Sequence, residues 1–184
     1  MKANKKCPGG KYCYGGLQSE TEAQNCAKGH YCPEATDRMI PCPVGTYNEA
    51  EEGPDIDACK PCTAGFYCEE QTVTPTLKCE KGYYCPTNIT DGVSSRIIGS
   101  YGKYQSPCPA STYTNVVGTE KKEDCIPCDV GRYCPQGTDN PKPCPRGYYC
   151  PPESSTPFPC PIGTYGSESN LEYRENCTDC DPGW

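Results

Sequence analysis

Hydrophobic positions along this chain are sparse: Leu, Ile, Val and Phe supply about a tenth of the 184 residues. They form no helical stripe after the cysteine pairs and no run long enough to cross a membrane. A cysteine-free chain this poor in apolar residues stays disordered, because it buries too little to offset the entropy of ordering. The polar stretches are instead fenced by cysteine, nineteen in all, with twenty-one prolines and nineteen glycines between them. That pattern predicts short hairpins and loops held by disulfides or metal rather than helices around a core.

Aligned with itself, the chain repeats two phrases. The first is a cysteine, a second with sixteen residues between them, and a third with two residues between it and the second. It occurs as "CPVGTYNEAEEGPDIDACKPC" (42–62), "CPASTYTNVVGTEKKEDCIPC" (108–128) and "CPIGTYGSESNLEYRENCTDC" (160–180). The residues inside share almost nothing, so the loop ends are fixed and the middle is solvated. The second is a pair with five residues between, in "CPGGKYC", "CAKGHYC", "CTAGFYC", "CEKGYYC", "CDVGRYC" and "CPRGYYC". Together they give six-cysteine repeats at 1–61, 62–127 and 128–179, the second with a long inserted loop at 86–107, and the start of a truncated fourth at 180–184. Repetition at this period marks a tandem array whose units touch mainly their neighbours. Cys180 then reads as a cysteine deprived of its partner rather than a reactive thiol.

All nine phrases share C-x-x-G-x-Y, with Ser111 in place of Gly once. Glycine there suits a turn with positive φ that reverses the chain just after the cysteine. Tyrosine supplies a small apolar plug against a disulfide or proline while its hydroxyl stays wet. The expected fold class is therefore small and disulfide-rich, mostly irregular with short β-hairpins, an elongated tandem-repeat rod without a large hydrophobic core.

Cysteine density places the chain outside the cytosol, in the secretory pathway, extracellular or at a cell surface. The opening "MKANKKCPGG" has no apolar leader, so a signal peptide and any membrane anchor are expected in flanking regions, and Lys2, Lys5 and Lys6 read as a solvated end. A net charge of −7 argues against nucleic acid or an anionic membrane as partner.

The repeated "GYYC" and "CPxGTY…CxxC" phrases resemble ephrin-receptor-like cysteine-rich repeats, related in layout to EGF-like and TNF-receptor-like modules, from Cys7 to Trp184. Six cysteines alone allow fifteen pairings. The resemblance implies first with third, second with fourth and fifth with sixth in each repeat. That gives Cys7–Cys26, Cys13–Cys32 and Cys42–Cys59; Cys62–Cys79, Cys68–Cys85 and Cys108–Cys125; Cys128–Cys144, Cys134–Cys150 and Cys160–Cys177. Cys180 is left unpaired.

Other chemistry is weaker. "CKPC", "CIPC" and "CTDC" could form a Cys₄ zinc site, but the pairs are 66 and 52 residues apart and His30 is the sole histidine. Redox work by C-x-x-C wants a helix that does not follow. The acid-rich "EAEEGPDID" invites calcium, yet the equivalent loops do not keep the acids. No metal or other cofactor is expected. Two sequons, Asn88 and Asn176, are candidate acceptors of N-linked glycans, Asn88 the better because cysteine fills the middle position at 177. "TVTPT" and "ESSTPFP" are compositional candidates for O-glycans. In the insertion, Ile97, Ile98, Tyr101 and Tyr104 make a small apolar group that either tucks against its own module or forms an interaction loop.

No nucleophile–base set, phosphate loop or repeated carboxylate pair suggests an enzyme. The expectation is a structural segment of a long surface or filament-forming glycoprotein, whose partners are itself or other extracellular proteins. The alternative is a ligand-binding or adhesion ectodomain of a cell-surface receptor.

Overall fold

The computed structural model describes residues 6–14, 23–87 and 105–181. In them the chain forms nine antiparallel two-stranded hairpins. Lys11–Tyr12 pairs with Gln24–Asn25, His30–Tyr31 with Ile40–Pro41, Thr46–Tyr47 with Lys60–Pro61, and Phe66–Tyr67 with Leu77–Lys78. Tyr83–Tyr84 then pairs with Ser106–Pro107, Thr112–Tyr113 with Ile126–Pro127, and Arg132–Tyr133 with Lys142–Pro143. Tyr148–Tyr149 with Phe158–Pro159 and Thr164–Tyr165 with Thr178–Asp179 complete the series. Each C-x-x-G-x-Y phrase opens one hairpin and the next phrase's cysteine closes it.

The glycine makes the reversal. In all nine hairpins the residue after it donates its N–H to the carbonyl of the residue after the cysteine, as Lys11 does to Pro8 (3.2 Å) and Thr164 to Pro161 (2.9 Å). The third residue of each four-residue turn has positive φ, from 73° at Gly131 to 84° at Gly10. This is the type II arrangement, which glycine enters without steric cost. Ser111 holds the position at φ 77° in the sixth hairpin. An L-residue there is strained, so Ser111→Gly is expected to add about 1 kcal/mol of stability. A higher denaturant midpoint, measured with the disulfides intact, checks this.

Cystine takes the place of a core. Sixteen cysteines are buried, and Tyr67 is the other buried hydrophobic among the described residues. Of the remaining repeat tyrosines, Tyr165 is exposed and the rest are half-buried. Several lie opposite an apolar cross-strand partner: Tyr31 faces Ile40, Tyr113 faces Ile126, and Tyr149 stacks on Phe158 with ring centroids 5.7 Å apart. The neighbours shown are cross-strand isoleucine and phenylalanine, where the sequence pattern called for a disulfide or proline.

The disulfides correct the pairing that the family resemblance implied. The structure joins Cys7–Cys13, Cys26–Cys32, Cys62–Cys68, Cys79–Cys85, Cys128–Cys134 and Cys144–Cys150, so Cys7–Cys26, Cys13–Cys32, Cys62–Cys79, Cys68–Cys85, Cys128–Cys144 and Cys134–Cys150 do not form. The turn is the reason. It folds the chain back between the two cysteines and leaves their Cα atoms 5.9 Å apart in Cys7–Cys13, within the range a disulfide spans. The third cysteine instead sits on the returning strand, where the Cys26 N–H donates to the Gly10 carbonyl (2.9 Å). Cys42–Cys59, Cys108–Cys125 and Cys160–Cys177 pair as expected, each with a sequence separation of 17.

Every disulfide therefore lies within one hairpin. Thiol-blocked, non-reducing peptide mapping is expected to find no disulfide linking peptides of different hairpins. A Cys7–Cys26 cross-link would restore the other frame.

Three hairpins make up each six-cysteine repeat: two closed by the short bridge, then one by the long bridge. In the long-bridged hairpins a single 3-10 turn, Ile56–Ala58, Lys122–Asp124 or Arg174–Asn176, leads into the second cysteine. By its contacts the chain divides into two units, Met1–Lys78 with Thr87–Tyr104, and Cys79–Pro86 with Gln105–Trp184. The first holds four hairpins and the second five; the division falls inside the 62–127 repeat.

Candidate functional site: the joint between hairpins

The most regular feature of the molecule is how one hairpin meets the next. In the first unit, Gly10 N–H donates to the Cys32 carbonyl (2.8 Å), Cys13 N–H to Thr36 (3.1 Å) and Ala35 N–H to Cys7 (2.7 Å). The second and third hairpins are joined by the same three bonds, Gly29 to Asn48, Cys32 to Gly53 and Glu52 to Cys26. The third and fourth follow with Gly45 to Cys68, Asn48 to Thr72 and Gln71 to Cys42.

The second unit repeats the scheme. Gly82 donates to Thr114, Cys85 to Thr119 and Gly118 to Cys79 between the fifth and sixth hairpins. Ser111 to Cys134, Thr114 to Thr138 and Gly137 to Cys108 join the sixth to the seventh. Gly131 to Cys150, Cys134 to Ser154 and Glu153 to Cys128 join the seventh to the eighth. Gly147 to Gly166, Cys150 to Leu171 and Asn170 to Cys144 join the eighth to the ninth. All are backbone groups, so the bonds themselves use no side chain. Three such bonds contribute about 3 kcal/mol net per joint.

The third bond requires a second left-handed residue. Ala35, Glu52, Gln71, Glu153 and Asn170 have φ between 59° and 68°, and Gly118 and Gly137 stand at 79° and 73°. This residue turns its N–H toward the preceding hairpin's cysteine carbonyl. After the bridges Cys62–Cys68 and Cys144–Cys150 the turn is braced by the next hydroxyl: Thr72 Oγ1 donates to the Glu69 carbonyl (2.8 Å) and Ser154 Oγ to Pro151 (2.6 Å). The phrases "CEEQT" and "CPPES" thus carry a turn signal that lies outside the repeated cysteine spacing.

Long-bridged hairpins lack the cysteine six residues after their first; polar side chains occupy the place in two of them, Asn48 and Thr114, and Gly166 in the third. Asn48 is buried and donates Nδ2–H to the His30 carbonyl (2.9 Å), while its Oδ1 accepts from Ala50 N–H (3.0 Å). Thr114 is buried with its Oγ1 3.0 Å from Thr119 Oγ1. Among the described residues no buried side-chain polar atom lacks a partner, which removes the main penalty of such burial.

Glycine also allows hairpins two apart to touch. A Cβ on Gly10 would stand 2.5 Å from the Glu52 carbonyl oxygen, on Gly29 2.5 Å from that of Gln71, and on Gly82 2.4 Å from that of Gly137.

The residues expected to carry other chemistry fall as follows. Cys59 and Cys62 of "CKPC" belong to different disulfides, as do Cys125 and Cys128 of "CIPC". That pairing consumes the thiolates a metal would need. In "CTDC", Cys177 is bridged to Cys160, and Cys180 is free and exposed. The Cys180 N–H donates to the Gly163 carbonyl (2.9 Å), the bond that the opening cysteine of a following hairpin makes. Asn176 is exposed at the end of its 3-10 turn, where Oδ1 accepts from Tyr173 N–H (2.8 Å). Asp55 plays a similar role in the acidic loop, accepting from Asp57 N–H (3.0 Å). Asn88, Ile97, Ile98, Tyr101 and Tyr104 lie outside the described residues.

No protein-family profile matches this chain, and no curated protein matches it.

Proposed function

We propose that this chain is a structural segment of a long extracellular, surface or filament-forming glycoprotein, built from ephrin-receptor-like cysteine-rich repeats. Nine disulfides are stable where the surroundings are oxidising, and among the described residues no helix is long and apolar enough to cross a membrane. The observation that carries the reading is the joint: within each unit, three backbone bonds between equivalent positions fix each hairpin to the next without using a side chain. Such a scheme conserves geometry while surface residues vary, as spacing and load-bearing require and as selective ligand recognition does not. Its partners are then other copies of itself or other extracellular proteins, with N-linked glycans at Asn88 and Asn176.

Deleting residues 94–105 from the full-length protein separates this role from that of a receptor ectodomain. A spacer keeps its native assembly, seen by electron microscopy, and its complement of surface partners, seen by co-purification. Lost capture of a partner with assembly unchanged overturns the proposal in favour of a ligand-binding ectodomain.

A further inference from the structure

A two-stranded hairpin has two open edges, each offering outward N–H and C=O groups to any strand that comes alongside. Here the two edges meet different fates. In the third, sixth and eighth hairpins the edge of the first strand is taken by the following hairpin, with parallel bridges from Tyr47 to Thr72, Tyr113 to Thr138 and Tyr149 to Leu171. The second strand of the third, sixth, seventh and eighth hairpins ends in an exposed proline: Pro61, Pro127, Pro143 or Pro159.

The register fixes which way these prolines point. They lie opposite Thr46, Thr112, Arg132 and Tyr148. The next residue in each case bonds inward: Cys62 N–H to Gly45 (2.8 Å), Cys128 to Ser111 (2.8 Å), Cys144 to Gly131 (3.0 Å) and Cys160 to Gly147 (2.9 Å). Backbone groups alternate in direction along an antiparallel strand. Each proline nitrogen therefore faces out of its hairpin, at the one residue of a two-residue strand whose N–H a visiting strand would use. Proline has no such N–H, and its ring fills the approach. Two other hairpins have a charged residue at the same place, Lys78 in the fourth and Asp179 in the ninth, another way of discouraging edge pairing.

We infer that Pro61, Pro127, Pro143 and Pro159 keep a second copy of this chain from pairing edge to edge with these hairpins. Strand pairing is thereby confined to succession along one chain, and copies that meet side by side do so through side chains. The inference rests on hairpin geometry and stands independently of the structural role proposed above.

Sedimentation of three chains over a wide concentration range tests it: the parent, a fourfold Pro→Ala variant at these positions, and a fourfold Pro→Lys variant. The Pro→Ala chain is expected to rise with concentration to at least twice the mass of the parent, and the Pro→Lys chain to match the parent. Equal behaviour of Pro→Ala and parent, or equal association of Pro→Lys and Pro→Ala, overturns the inference. Should the fourfold change prevent oxidative folding, single Pro143→Ala decides by hydrogen exchange. The amide it introduces should exchange in dilute solution at the rate of an unstructured peptide, whereas protection there places the nitrogen inside the hairpin and overturns the inference.

Discussion

Complete reduction without denaturant is expected to erase this fold rather than loosen it. The buried side chains of the described residues are mostly cysteines, sixteen of them, with one tyrosine, one histidine and a few small or amide side chains, so breaking the sulfur bridges removes the core along with the cross-links. On the loop-closure account, a bridge with a separation of 6 contributes about 2 kcal/mol and one with a separation of 17 about 3 kcal/mol. A domain's net stability is only about 5–15 kcal/mol, so losing all nine bridges exceeds the margin. The joints should fail with them, because their donors and acceptors are the cysteine and glycine backbones that the bridges hold in place. Hydrogen exchange reads this directly: the Gly10, Gly29, Gly82 and Gly131 amides, protected in the oxidised chain, should exchange like those of an open peptide after reduction and thiol blocking. Retained protection would mean that the backbone joints stand without the sulfur, and that the cystine core is secondary.

That dependence on covalent staples was legible in the sequence, and the features legible with it are those with a residue-specific cause. Only glycine enters a left-handed turn freely, so C-x-x-G announced nine reversals, and Ser111 was placed in the series because everything around it matched. Tyrosine at the fifth position is half-buried in seven of the nine hairpins, as expected of the main large apolar ring in a chain with little else to bury. What the sequence did not disclose has no side-chain signature. A cysteine does not name its partner, and choosing 7–26 over 7–13 depended on an analogy rather than on a turn whose ends could be placed in space. The joints are made by N–H and C=O groups that every residue has. Their left-handed donors include Ala35, Glu52, Gln71 and Glu153, residue types that give no warning of positive φ. The repeat length was read as the six-cysteine period, while the physical unit is one hairpin, because cysteine counting groups two short-bridged hairpins with one long-bridged hairpin.

Gly82→Ala and Gly147→Ala should differ sharply, although both glycines occupy the same turn position at nearly the same φ, 83° and 82°. Each substitution incurs the left-handed strain of an L-residue, about 1–2 kcal/mol. At Gly147 nothing lies within 4 Å of the added carbon, so that strain is the whole cost. At Gly82 the carbon would stand 2.4 Å from the Gly137 carbonyl oxygen and 3.0 Å from its carbon. Both contacts are backbone of the hairpin two places on, which cannot swing aside as a side-chain tip can. The total there is on the order of 3–5 kcal/mol, in the range where a single substitution marks a broken packing contact. In a tandem array the damage is local, so it is best read amide by amide. Gly82→Ala should strip protection from the amides at positions 82, 118 and 137, which bond across the fifth-to-sixth and sixth-to-seventh joints. Gly147→Ala should leave the amides of distant joints untouched and lower its own only modestly. Equal losses from the two changes would show that the turn alone demands glycine. Unequal losses in this direction show that the same glycine answers two requirements, one of its own turn and one of a hairpin two places along the chain.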